Sequence, residues 1–286
     1  MKAEYLHDDR DPRLRDYRDV KESRWLRERG VFLVEGRTGV RTLLGAAGFE
    51  FRSLLLTESA QAEIAPAWEA FVKRGSGAEP CPAFVVSRQT MERLAGVRFH
   101  QGCIAAVRVP PAMQLAEILQ SGARKLLVLE DVTDPDNIGA CFRNALAFGF
   151  DAVLLTPGCA PPLYRKAIRT SMGAILRLPF ARLSADLEEL VDLRSRGFQL
   201  LGLTPDAEAL DLEQFRPVWP LALALLLGGE GPGLSARARS MVDLEVRIPM
   251  APRADSLNVA TAGAIAMHRI HECETRAASR LPRSEC

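Results

Sequence analysis

The chain has 286 residues, 48% of them apolar and 26% charged, with a net charge of +1. That length holds two domains, or one large one, around a substantial core, and the balance is that of an ordinary globular protein. No apolar run approaches the ~18 residues of a membrane span and the start has no apolar signal core; six cysteines without a C-x-x-C pair argue against a zinc site or a disulfide framework and read as reduced intracellular thiols.

Residues 1–30 are dense in both charges, with Arg10, Arg13, Arg15, Arg18, Lys21, Arg24, Arg27 and Arg29 set among acids. Intermittent Leu14, Tyr17, Val20, Trp25 and Leu26 predict a charged helix over 10–30 with a solvated face, ended by Gly30. Strands are expected at 31–34, 52–57, 83–86 and 104–109, with helices at 40–47, at 60–73, and from a Ser87 cap through Leu94. This alternation makes a small α/β domain. Nothing in it looks catalytic, and its histidine, His100, stands in a loop-like stretch.

Residues 110–122 read as a linker with a short helix. The second unit opens with Lys125-Leu126-Leu127-Val128-Leu129, a continuous apolar run suited to a strand covered on both faces. Strands at 152–155, 175–178, 198–203, 221–227 and 244–248 alternate with helices at 138–148, 164–171, 186–196, 235–241 and one from Leu257. This order predicts a mostly parallel sheet flanked by helices, with ligands beyond the carboxyl ends of its strands. The loops there begin at Glu130, Leu227 and Pro249. From 152 to 185 there is no acidic residue, while Arg165, Lys166, Arg169, Arg177 and Arg182 form a basic strip able to hold a phosphate backbone.

Three loops are candidates for chemistry. In the first, Asp134-Pro135-Asp136-Asn137 runs into Ile138-Gly139-Ala140-Cys141-Phe142-Arg143, with Asn137 expected to cap the helix. Arg143 would stand among Gly139, Ala140 and Ala147, leaving space for a phosphate or carboxylate; a surface arginine without a role is the plain alternative. The second loop is Leu227-Gly228-Gly229-Glu230-Gly231-Pro232-Gly233-Leu234-Ser235, a strand running into glycines around one carboxylate that reads as buried. Glycines let backbone approach a ligand, although a tight turn has the same composition. Its lateness in the chain argues against an ordinary Rossmann fingerprint, which opens the first βαβ unit. The third loop, Ile248-Pro249-Met250 through Ser256-Leu257-Asn258, has Ser256 as the expected cap of the last helix.

Together these loops resemble the three motifs, in order, of the SpoU/TrmH family of RNA ribose methyltransferases, within the knotted SPOUT class. Arg169-Thr170-Ser171-Met172-Gly173-Ala174 also looks like a family segment, and residues 31–109 more loosely resemble the ribosomal-protein-like substrate-binding domain of many members. Departures are small: Gly229 stands where members vary, and Ala260 replaces a frequent serine. The resemblance implies a C-terminal α/β trefoil-knot domain over 124–275, a smaller N-terminal α/β RNA-binding domain over 31–110, a linker at 111–123, a charged helical extension at 1–30 and a flexible tail at 276–286. It also implies a cytoplasmic homodimer that uses S-adenosylmethionine, without metal or membrane, to methylate a ribose 2′-OH of structured RNA.

By this resemblance Leu227, Gly228, Ile248, Met250 and Leu257 hold the cofactor. Asn137, Glu230, Ser256 and Asn258 orient Arg143 and the ribose, and Arg165, Lys166 and Arg169 contact RNA. In the family the arginine matching Arg143 is the proposed base. A guanidinium of pKa above about 12 is a poor one, so binding a phosphate and stabilising the developing alkoxide is the physically easier role. Ribosomal RNA is the expected substrate. Transfer RNA, or a non-catalytic role in RNA binding or ribosome assembly on the same fold, are the alternatives.

Overall fold

The computed structural model describes residues 1–18, 28–74, 81–95 and 102–280. They form two compact units, Met1–Pro111 with Pro162–Arg177, and Ala112–Pro161 with Leu178–Cys286.

The first unit holds a mixed sheet of β1 (Glu4–Tyr5), β2 (Val31–Glu35), β3 (Phe51–Leu56), β4 (Ala83–Val85) and β5 (Cys103–Arg108), in the order β1-β4-β3-β5-β2. β5 runs antiparallel to both its neighbours and the other pairings are parallel. Helices α1 (Arg37–Gly45), α2 (Glu58–Arg74) and α3 (Arg88–Ala95) accompany it, and Ser87 caps α3 by accepting from the Thr90 N–H at 3.1 Å. Of the charged helix expected over 10–30, the described residues keep only the end, where Glu28 and Arg29 are helical and Gly30 stops them with a φ of 59°. Residues Pro12–Tyr17 make a 3-10 turn, capped by the Asp11 carboxylate, and Arg18 is already extended. Leu14 and Tyr17 are three apart, the spacing that shares a face at three residues per turn, and both are fully buried. Tyr17 is further anchored by a 2.6 Å bond between its hydroxyl and Ser53 Oγ. The beginning of the chain is therefore part of this unit's core rather than an extension, and residues 19–27, like His100 and Gln101, lie outside the described residues.

The second unit is a seven-stranded, wholly parallel sheet of β6 (Lys125–Glu130), β7 (Ala152–Leu155), β8 (Phe180–Arg182), β9 (Phe198–Leu203), β10 (Leu210–Asp211), β11 (Ala222–Gly228) and β12 (Leu244–Arg247). Its order is β10-β12-β9-β11-β6-β7-β8. Helices α4 (Leu115–Gln120) and α5 (Pro135–Ala147) belong to it, whereas α6 (Arg165–Thr170) groups with the first unit; α7 (Glu188–Ser195), α8 (Ala236–Met241) and α9 (Val259–Arg280) complete it. The strand expected at 175–178 is instead a 3-10 turn, Ala174–Leu176, because Met172 and Gly173 take left-handed φ of 52° and 83° and turn the chain; the strand begins after Pro179. α9 starts at Val259 rather than Leu257 and continues to Arg280, with Glu272 and Arg276 paired one turn apart, so residues 276–280 are helix rather than tail.

Both faces of the central strands are covered, which is why they read as unbroken apolar runs. Leu126 and Val128 of β6 join Ala224 and Leu226 of β11, Ile118 of α4, Leu190 of α7 and Ala238 of α8 in one core. The alternate residues Leu127, Leu129, Leu225 and Leu227 are at most 1% exposed. On α9, Gly263 permits close packing on β11, since a Cβ there would come within 2.6 Å of Leu227 Cδ1. No described helix is long and apolar enough to cross a membrane.

Candidate active site

The sheet order sets β9, β11 and β12 side by side, and beyond their carboxyl ends lies a cavity of about 320 Å³. Leu227, Gly228, Ile248, Met250 and Leu257 all line it, as do Glu230, Ser256 and Asn258. Leu203, Thr204 and Pro205, from the end of β9, also line it and were not among the expected site residues. Their signal was present in the sequence, as a Thr-Pro break directly after an apolar strand, but only the sheet order makes β9 the neighbour of β11. This lip is held by Arg239 of α8, which donates to Asp206 Oδ2 at 2.8 Å and to both carboxylate oxygens of Glu245 on β12 at 2.6 and 2.7 Å.

The glycine loop is compact against its own chain. A Cβ on Gly228 would stand 2.0 Å from the carbonyl carbon of Gly233 and 2.2 Å from the Leu234 nitrogen, and one on Gly229 would stand 2.2 Å from the Asp131 carbonyl oxygen. Glycine is required at both because backbone occupies the space of any side chain. Gly231, with φ of +95°, needs it for a different reason, a left-handed turn with open space around it. The buried carboxylate of this region is Glu130, 8% exposed at the end of β6, not Glu230, which is exposed. Glu130 accepts from the Ser235 backbone N–H at 2.9 Å and from Ser235 Oγ at 2.6 Å, while Ser235 Oγ accepts from Ala238 N to cap α8. The charge that reads as buried from the sequence thus sits on the adjacent strand, where two donors compensate it.

Asn137 does not cap α5. Asp134 does, accepting from Asp136 N at 2.9 Å, with Pro135 in the first helical position where its missing N–H costs nothing. Asn137 is thereby carried into the first turn, where its amide donates to the Glu230 carboxylate and its Oδ1 accepts from Asn258 Nδ2 at 2.9 Å. Asn258, in turn, and not Ser256, caps α9: its Oδ1 accepts from Ala260 N at 3.0 Å and Thr261 N at 3.2 Å. The amide orientations along this chain are fixed at both ends, because an ionised carboxylate only accepts and a backbone N–H only donates.

Arg143 lies on α5, exposed, and its side chain forms no hydrogen bond or ion pair among the described residues. Glu230 accepts from Asn137, and among the described residues no bond joins it directly to Arg143. One residue further on, Asn144 donates to the Ala260 carbonyl at 3.0 Å and joins α5 to α9. Burial pushes the nearby Cys141 thiol up to about 12, leaving it protonated and inert at neutral pH. Among the described residues, no group of three His, Cys, Asp or Glu side chains is placed to hold a metal ion.

The basic strip is less uniform than the sequence reads. Arg165 is paired with Glu35 of the first unit, with only 16% and 12% of the two side chains exposed, so its charge is already matched and it is not an open phosphate ligand. Lys166 is half-buried and Arg169 is exposed. Arg182 is occupied structurally, donating to the carbonyls of Thr156 and Cys159 at 2.9 and 3.2 Å.

A model of the SpoU rRNA Methylase family matches residues 124–268. A Mycobacterium bovis protein named as an uncharacterised tRNA/rRNA methyltransferase is 40% identical over 263 residues, which cover 90% of this chain and 88% of that protein. The 23S rRNA (guanosine-2′-O-)-methyltransferase RlmB of Acinetobacter baylyi is 33% identical over 187 residues, 64% of this chain and 75% of that protein. A solved RNA 2′-O ribose methyltransferase has the same fold, with a TM-score of 0.76 and 27% identity over 95% of this chain and 99% of that one.

Proposed function

The chain belongs to the SpoU rRNA Methylase family, and we propose that it transfers a methyl group from S-adenosylmethionine to a ribose 2′-OH of structured ribosomal RNA, as a cytoplasmic homodimer. The observation that carries this reading is the convergence of the three loops. Segments from β11, from the stretch after β12 and from the start of α9 line one cavity, and the Glu230–Asn137–Asn258 chain ties two of those segments to α5.

The residues present fit the cofactor. A volume of about 320 Å³ lies within the usual ~300–1,000 Å³ of small-molecule sites. The lining mixes the apolar side chains of Leu227, Ile248, Met250 and Leu257 with the glycine backbone of 228–231. These would hold S-adenosylmethionine, which when bound supplies an electrophilic methyl group on a sulfonium. The chain's own part is to position the ribose and manage its proton. Asn137 shares α5 with Arg143, so fixing Asn137 between Glu230 and Asn258 also fixes the helix that carries the guanidinium. Arg143 then stabilises negative charge on the 2′-oxygen as its O–H bond breaks, and the proton passes to a substrate phosphate or to water, since the guanidinium is itself a poor acceptor. Alignment of the two reacting groups supplies much of the rate in such a transfer.

The test is incubation with labelled S-adenosylmethionine and unmodified ribosomal and transfer RNA, followed by mapping of 2′-O-methyl sites. Label at a defined ribose of ribosomal RNA is expected. Label confined to transfer RNA would move the substrate, and no ribose methylation at all would overturn the reading.

A further inference from the structure

Helix α6 ends on a residue that its local geometry disfavours. The Met172 N–H donates to the Arg169 carbonyl at 3.1 Å and the Gly173 N–H to the Ile168 carbonyl at 3.3 Å, the paired closing bonds of a helix that stops on a left-handed residue. That residue is usually glycine, because a Cβ in this conformation crowds the following carbonyl. In α6 it is Met172, with φ of 52°.

The turn holds this methionine outward. Ser171 and the residues from Gly173 to Leu176 are all buried, whereas 59% of Met172 is exposed. Ser171 Oγ donates to the Ile168 carbonyl at 2.8 Å and accepts from the Gly173 N–H at 3.2 Å, which pins the backbone on both sides of Met172. Gly173 is seated on α1, where a Cβ would come within 3.1 Å of Thr42 Cγ2. An exposed apolar side chain adds nothing to a core, and its left-handed backbone lowers stability, so packing does not select methionine at this position.

The surroundings are basic. No acidic residue occurs from 152 to 185. Arg169, one turn back on α6, and Arg177, directly after the buried 3-10 turn, are exposed, and their side chains form no ion pair among the described residues. Glu35, whose carboxylate also feels Arg169, is already paired with Arg165. An outward thioether with a guanidinium before and after it along the chain has the chemistry of a nucleotide contact, base face against sulfur and phosphate against the fork.

We propose that Met172 is a contact for an unpaired base of the RNA substrate, with Arg169 on the adjoining phosphate. The proposal rests on the reading of the protein as an RNA methyltransferase and adds the kind of RNA recognised, one with a base free of its pair. A polarisable, unbranched side chain can follow the face of any base, and the bases open to such contact are those of loops and bulges rather than of A-form duplex.

The experiment is fluorescence anisotropy of the full chain with a labelled, unmodified ribosomal RNA hairpin carrying an unpaired loop, and with a duplex of the same length, each from low to high salt. Met172→Gly is expected to weaken hairpin binding on the order of tenfold, with duplex binding and the log K against log salt slope unchanged. The same variant should raise the thermal unfolding midpoint by about 2 °C, since glycine relieves the left-handed strain. Loss of affinity in a more stable protein is an outcome that a packing role does not produce. Met172→Leu should keep hairpin affinity within about threefold, and Arg169→Gln should shallow the slope by roughly 0.7–0.9. Unchanged hairpin affinity in Met172→Gly, or a midpoint that falls, overturns the proposal. So does a change of oligomeric state in sedimentation, which would place Met172 in a contact between protomers. Wild-type protein that binds S-adenosylmethionine but neither RNA would instead overturn the functional reading beneath it.

Discussion

Gly228 and Gly231 sit in the same loop, line the same cavity, and should respond very differently to alanine. At Gly228 the new Cβ meets three backbone atoms at 2.0, 2.2 and 2.3 Å. Ordinary carbon contacts lie near ~3.5 Å, so main chain must move by roughly 1 Å or more. Overpacking against side chains that can turn away costs about 1–3 kcal/mol. Here the obstacle is the peptide joining Gly233 to Leu234, directly before the Ser235 cap, so Gly228→Ala is expected at or above ~3 kcal/mol. At Gly231 the same methyl meets nothing within 4 Å, and the penalty comes from φ of +95° alone, about 1–2 kcal/mol. The assay is chemical denaturation of both variants together with calorimetric affinity for S-adenosylmethionine. Gly228→Ala should lose stability and cofactor affinity together, the latter on the order of 100-fold, while Gly231→Ala should keep affinity within a few-fold. Equal behaviour of the two variants in both measurements would refute the argument that backbone occupancy, rather than conformation, makes Gly228 obligatory.

Other expectations follow from the same geometry. Asn258→Ala should cost about 1 kcal/mol through loss of the α9 cap; Asn258→Ser should restore stability in a thermal melt but not methyl transfer, because serine caps without the amide that reaches Asn137. Arg143→Ala should lower turnover on the order of 10²–10³-fold with calorimetric cofactor affinity unchanged, and near wild-type turnover would remove Arg143 from the mechanism. Arg239→Gln should release the Thr204–Pro205 lip from its ties to Asp206 and Glu245, raising the cofactor KM while leaving kcat at saturation near wild type. Burial holds the Cys103 and Cys141 thiols at about 12, whereas unfolded thiols titrate near ~8.5. The unfolded chain therefore loses those protons first, and stability should fall as pH rises above about 9, by roughly 1.4 kcal/mol per pH unit for each thiol. Denaturation midpoints across an alkaline series, with both cysteines changed to alanine as control, would read it.

Local chemistry was legible in the sequence. Apolar runs bounded by turn residues located most strands and helices, and the Leu227–Ser235, Asp134–Arg143 and Ile248–Asn258 stretches identified the loops that line or border one cavity. Those signals survive in one dimension because strand period, proline geometry and glycine freedom act over a few residues. What the sequence could not assign was partnership. Glu230 read as the buried acid and as an orienter of Arg143, yet Glu130 is the buried one and Glu230 accepts from Asn137, because β11 pairs with β6 and brings the loops after those strands together. The Ser87 cap stands, but the caps expected at Asn137 and Ser256 moved to Asp134 and Asn258, since a cap is chosen by where the helix is allowed to start. The arginine-rich beginning of the chain looked like a solvated helix until Tyr17 found Ser53 and folded a 3-10 turn into a core. Residue type and spacing determined which chemistry the chain can carry; which groups share that chemistry was decided by contacts between residues tens of positions apart, and only the folded sheets supply them.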